Sequence, residues 1–216
     1  MEEPLLILLG TAFTLGFVHT IFGPDHYLPF VMLSEARNWS HRRTVGITLL
    51  SGFGHVLGSV ALGFIGIAAG LSISHVKGTE ALRGDIASWS LMAFGLLYAL
   101  ISAWRLYRNP NHTHTHANPD KSGKTTPWVI FLIFVFGPCE PLIPLLMYPA
   151  AQENLVHVAA VAGAFSLTTV LTMIAAVMLL KLGFGRITIK PLQRYAHILA
   201  GAVIFLSGAA IVFLGL

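Results

Sequence analysis

Six long apolar runs, near positions 4–33, 44–71, 86–107, 127–150, 155–181 and 194–215, alternate with polar connections along the chain. Each is long enough to cross a hydrocarbon core of roughly 30 Å, which takes about 20 helical residues. Helices are expected throughout: a backbone in lipid must satisfy its own hydrogen bonds, and a barrel strand would alternate apolar and polar residues. The pattern predicts an all-α integral membrane protein of six transmembrane helices.

Composition agrees. Of 216 residues, 55% are hydrophobic and only 10% charged, and the mean hydropathy is +0.75. One soluble core cannot hide that much apolar surface, so the lipid bilayer is the expected surrounding. The formal charge of +4 does not point to nucleic acid, because the 13 Lys and Arg are dispersed between apolar runs. The start, Met1-Glu2-Glu3-Pro4, lacks the basic segment of a secretory signal, and the first run is expected to be retained. Eleven of the 13 basic residues fall in the first, third and fifth connections, leaving only Lys77 and Arg83 in the second. The positive-inside rule then places both termini on the non-cytoplasmic side of the inner membrane.

Two places break the apolar pattern: His19-Thr-Ile-Phe-Gly-Pro-Asp-His26, and Gly137-Pro138-Cys139-Glu140-Pro141. Proline withdraws an amide donor and clashes with the preceding turn, so helices 1 and 4 are expected to be broken at Gly-Pro. The two breaks align as Gly-Pro-Asp-His-Tyr-Leu against Gly-Pro-Cys-Glu-Pro-Leu. That register divides the chain into two three-helix halves, residues 1–107 and 127–216, inverted relative to each other. The cytoplasmic linker between them, 108–126, carries His112, His114 and His116, alternating histidines suited to collecting borderline metal ions.

Charge inside a span is costly, about 3 kcal/mol for a lone aspartate, which marks Asp25 as functional. His19 precedes His26 by seven residues, two helical turns on one face. Glu140 reads as the other acid well inside a span, Cys139 sits between two prolines beside it, and His55 falls near the middle of the second run. The hydroxyls of Ser166, Thr168, Thr169 and Thr172 in the fifth run are expected to bond back to their own helix. The set Asp25, His26, Cys139 and Glu140, completed by His19 and His55, offers imidazole, thiolate and carboxylate. Those donors suit a divalent transition-metal ion rather than Mg²⁺ or Ca²⁺. The chain has no P-loop sequence and one cysteine, which excludes an internal dithiol relay. The expectation is a transporter rather than an enzyme, with the ion as cargo rather than fixed cofactor; a homo-oligomer or partner subunit is left open.

His19-x5-Asp25-His26, His55, the six spans and the His-containing loop resemble the nickel/cobalt transporter family and the related urease-accessory membrane proteins. The resemblance implies passage of Ni²⁺ or Co²⁺, with Zn²⁺ and Cu ions as further candidates, by way of His19, Asp25 and His26. The Gly-Pro-Cys-Glu-Pro element is similar instead to the Pro-Cys motifs of the cytochrome c biogenesis transmembrane proteins. Those proteins pass reducing equivalents across the membrane through a cysteine pair, one from each half of what looks like the same scaffold. This second resemblance implies an alternative, a membrane thiol-redox protein in which Cys139 works with a partner's thiol, since Asp25 stands where the second cysteine would be. A small-anion exporter using positive half-helix ends is a third reading, which Asp25 and Glu140 oppose. The leading expectation is transition-metal transport through a midplane site.

Overall fold

The computed structural model describes residues 2–108, 125–152, 154–184 and 194–215, and among them every regular element is helical. In chain order these are α1 (Glu2–Phe22), a 3-10 turn (Pro24–His26), α2 (Leu28–Ala36), α3 (His41–Ala68) and α4 (Ile73–Arg108). They continue as α5 (Thr125–Phe136), α6 (Leu142–Ala151), α7 (Leu155–Phe184) and α8 (Ala196–Leu214). Among the described residues, α1, α3, α4, α7 and α8 are each long and apolar enough to cross a membrane, and α5 is a shorter apolar helix. Their large apolar side chains face outward, as with Phe13, Phe53, Leu97 and Leu171, which is how a protein surrounded by lipid presents itself.

Local chemistry sets the ends. The α1 ladder closes on Gly23 N–H donating to the His19 carbonyl at 3.0 Å, because Pro24 has no amide to continue it. Gly23 is extended, with φ −91° and ψ 90°, and the chain makes the single turn Pro24–His26 before α2 starts. Ser40 caps α3, its hydroxyl accepting from the Arg43 amide at 3.3 Å. At 36 residues α4 is about 54 Å long. It takes in the stretch that hydropathy assigns to the second connection, so Lys77 and Arg83 are helical residues rather than loop charges. The linker at 108–126 expected to hold His112, His114 and His116 lies outside the described residues save for its edges.

Between α5 and α6 the backbone leaves the helix at Gly137–Pro141, and α4 supplies what the missing ladder does not. Glu80 of α4 accepts the Cys139 amide at 2.8 Å. Arg83, one turn further on, donates to the Val135 carbonyl at 2.9 Å and to Gly137 at 3.4 Å. The two side chains pair with each other at 2.5 Å, and Ser59 of α3 donates to the same carboxylate. Unsatisfied backbone groups cost several kcal/mol each in lipid, so this ion pair is the condition on which the non-helical segment sits there. Proline ring and glycine fit at the same point: a Cβ on Gly84 would lie 2.8 Å from the Pro138 ring.

Around this centre α1 packs on α7, α5 on α3, and α4 on α8. The α4–α8 seam is built from small residues that let backbones touch: a Cβ on Gly201 would lie 2.5 Å from the Ala99 amide, and one on Gly208 2.6 Å from that of Met92. Two apolar clusters result. Phe165, Val161, Leu142, Leu146, Val56 and Cys139 form one, and Phe30, Leu33, Phe134, Ile130, Met173 and Ile204 form the other.

Two outcomes follow for stability. Gly201→Leu is expected to cost roughly 1–3 kcal/mol by forcing the α4–α8 seam apart, read as a lower unfolding temperature in detergent, whereas Gly163→Leu, with open space around its Cβ position, leaves it unchanged. Removing one member of the buried pair, by Glu80→Leu or Arg83→Met, is expected to cost about 3–5 kcal/mol. The double variant should recover only part of that, because the Cys139 amide and Val135 carbonyl still lack partners; full recovery would show that the pair does not serve the backbone.

Candidate functional site

The interrupted segments meet where the two apolar clusters adjoin. His19 comes from the last turn of α1, His26 from the 3-10 turn and His55 from the middle of α3. Ring centroids are 4.7 Å apart for His19 and His26, 5.0 Å for His26 and His55, and 6.3 Å for His19 and His55. Each ring offers a nitrogen, and the three lie within 4.8 Å of one another. Phe165 from one cluster and Phe134 from the other flank the trio.

The outer nitrogens are engaged. His26 Nδ1 is 3.1 Å from the Gly23 carbonyl and 3.1 Å from Asp25 Oδ1. His55 Nδ1 is 3.3 Å from the Phe134 carbonyl, on the last full turn of α5. The glycines of the two motifs give the rings their room: a Cβ on Gly23 would run into His26 Nδ1, and one on Gly137 would lie 2.9 Å from His55 Nδ1. Cys139 is fully buried, with Sγ 3.8 Å from His19 Nε2 and its amide held by Glu80.

Of the residues singled out in the sequence, His19, His26 and His55 come together, Asp25 sits against His26, and Cys139 against His19. Glu140 is different: it is exposed, on the rim of a cavity of about 780 Å³ that His19, Asp25, His26 and His55 also line. His112, His114 and His116 lie outside the described residues. Ser166 and Thr168 bond back to Ala162 and Ala164, as hydroxyls inside helices do. Glu80, Arg83 and Ser59 are what the sequence reading missed. Hydropathy puts Glu80 and Arg83 in a loop, though their i,i+3 spacing before Gly84 is a helical signal. A buried lysine also escaped it: Lys181 Nζ of α7 donates to Ser34 and pairs with Glu35 of α2, both at 3.1 Å.

Comparison with curated proteins and with solved structures gave no match. The profile of the family described as the cytochrome C biogenesis protein transmembrane region matches residues 11–212, nearly the whole chain. That match overturns transition-metal transport as the function, and with it the resemblance to the nickel/cobalt transporters: it favours the thiol-redox alternative. The physical reason for the error is that imidazole and carboxylate donors inside a membrane are compatible with holding or protonating as well as with passage, so ligand chemistry alone did not select a carrier. A profile spanning all eight helices, from the middle of α1 to the end of α8, establishes that the chain belongs to the cytochrome c biogenesis transmembrane family.

Proposed function

We propose that this protein passes reducing equivalents within the membrane by thiol–disulfide exchange at Cys139, with the other sulfurs supplied by partners. The observation that carries the reading is the Cys139 Sγ held 3.8 Å from His19 Nε2 in a chain of this family. His19 removes the thiol proton, and the thiolate attacks one sulfur of a partner's disulfide. The partner's S–S bond breaks, a Cys139–partner disulfide forms, and the departing sulfur takes the proton. A thiol of a second, dithiol partner then attacks the Cys139 sulfur, so that the first partner leaves with both its sulfurs as thiols. The second partner's other thiol attacks in turn and releases Cys139 as a thiol; the first partner is reduced and the second oxidised to its disulfide, two electrons in all.

The scaffold we infer for this is a pair of inverted three-helix repeats, α1–α4 and α5–α8, each opened at its Gly-Pro. The packing supports it: α1 on α7 is the counterpart of α5 on α3, while α3 on α7 and α4 on α8 each pair a helix with its own counterpart. In that register Asp25 occupies the place of the second cysteine, which is why one sulfur must come from outside. Eleven of the 13 Lys and Arg lie at or between the end of α2 and the start of α3, the end of α4 and the start of α5, and the end of α7 and the start of α8, so these ends face the cytoplasm in this reading, with both termini opposite.

The test is trapping in native membranes. After reduction, Cys139 is expected to react with a membrane-permeant maleimide and to form a mixed disulfide visible on non-reducing gels, both lost in Cys139→Ser. His19→Ala should slow the alkylation roughly tenfold or more while leaving the protein folded. A Cys139 that neither alkylates nor traps any partner would sink this function.

A further inference from the structure

We propose that His19, His26 and His55 form a binding site for a resident transition-metal ion, which shares His19 with the thiol chemistry above but does not require Cys139. The argument starts from protons. His26 Nδ1 faces two oxygens, the Gly23 carbonyl and the Asp25 carboxylate, and His55 Nδ1 faces the Phe134 carbonyl. Oxygens of these kinds only accept, so each Nδ1 carries the hydrogen and donates it. The lone pair of each neutral ring is therefore on Nε2. Both Nε2 atoms are buried, and neither has a partner among the described residues.

Buried polar atoms without partners are rare, because their desolvation is uncompensated. Here two of them belong to rings 5.0 Å apart, with a third imidazole beside them. A cation that accepts lone pairs resolves the arrangement. Donation of the far ring nitrogen to a carboxylate or carbonyl is also what fixes the tautomer and orientation of metal-bound histidines. Metal–nitrogen bonds of about 2.0–2.1 Å set tetrahedral ligand nitrogens about 3.3 Å apart, so the rings need to close by less than about 1 Å each. Gly23 and Gly137 leave that space, since a Cβ at either would press on the rings from behind.

Three neutral imidazoles select late first-row ions such as Zn²⁺ or Co²⁺ over Mg²⁺ and Ca²⁺, which require oxygen. The cavity that reaches all three rings provides the way in, and Asp25 and Glu140 on its lining offset the charge of the ion. The proposed ion is a resident one, and the Phe134 ring, which also lines the cavity, packs against His26 and His55.

The test uses the full chain, purified in detergent, stripped with chelator and reloaded with ZnCl₂ or CoCl₂. About one ion per chain is expected by elemental analysis, with bound Co²⁺ giving the intense ligand-field absorption of a tetrahedral site. His26→Ala and His55→Ala should each lose the ion, and His55→Asn, close in size, guards against a folding defect. Asp25→Asn should keep the ion with affinity lowered roughly 10–100-fold. Replacing His112, His114 and His116 with Ser should leave it in place. Cys139→Ser should lose trapping yet keep the ion, so the two readings fail separately. Wild-type protein that binds no ion, or a His26→Ala/His55→Ala double variant that binds as tightly as wild type, would overturn the site.

Discussion

Everything at the centre of this protein depends on one constraint: in lipid, a backbone amide or carbonyl released from a helix must find another partner. The stretch from Gly137 to Pro141 releases several. Glu80 and Arg83, one turn apart on α4, take the Cys139 amide and the Val135 and Gly137 carbonyls, and neutralise each other in doing so. An ion pair at this depth contributes little net stability on its own, because desolvation offsets the attraction. Its effect is on geometry, since it holds open the backbone that carries Cys139.

How much of this was legible in the sequence differs by residue. Apolar runs give the helices because lipid imposes them, but the seven-residue spacing of His19 and His26 would leave them about 10 Å apart on an intact helix, and their rings meet at 4.7 Å because the chain leaves the helix at Gly23–Pro24. His55 joins them because small neighbours let α3 approach. Glu140 went the other way. Helical periodicity does not run through a segment with prolines at 138, 141 and 144, so the adjacent positions 139 and 140 diverge, one buried and one exposed. Glu80 and Arg83 were invisible to hydropathy for a different reason. Their neighbours Lys77 and Asp85 lower the local average, and burial comes from tertiary partners on α3 and α5 that no local window contains.

Function was less legible than fold because the same side chains serve different chemistry. Imidazoles next to a carboxylate in a membrane can bind an ion, relay a proton or activate a thiol, and spacing does not separate these. The family match favours the thiol reading over metal transport. The resemblance carried by Gly137-Pro138-Cys139-Glu140-Pro141 was therefore the more informative of the two, though it rests on fewer residues.

The two chemistries meet at His19. Its Nε2 faces Cys139 Sγ at 3.8 Å, and its ring stands 4.7 Å from that of His26, so one imidazole borders both the thiol and the histidine cluster. A metal ion on the cluster would occupy a nitrogen of His19 and leave less basicity for the thiol proton. Cys139 itself is absent from the lining of the cavity that reaches the histidines, with Pro138 and Glu140 on either side of it exposed there instead. A partner's sulfur entering by this route must displace the short segment between those two residues. That segment is held by the Cys139 amide on Glu80 and the Gly137 carbonyl on Arg83 rather than by a helical ladder. In the proposed thiol exchange, the broken backbone is what would let a sulfur buried in the membrane be reached without unwinding a helix.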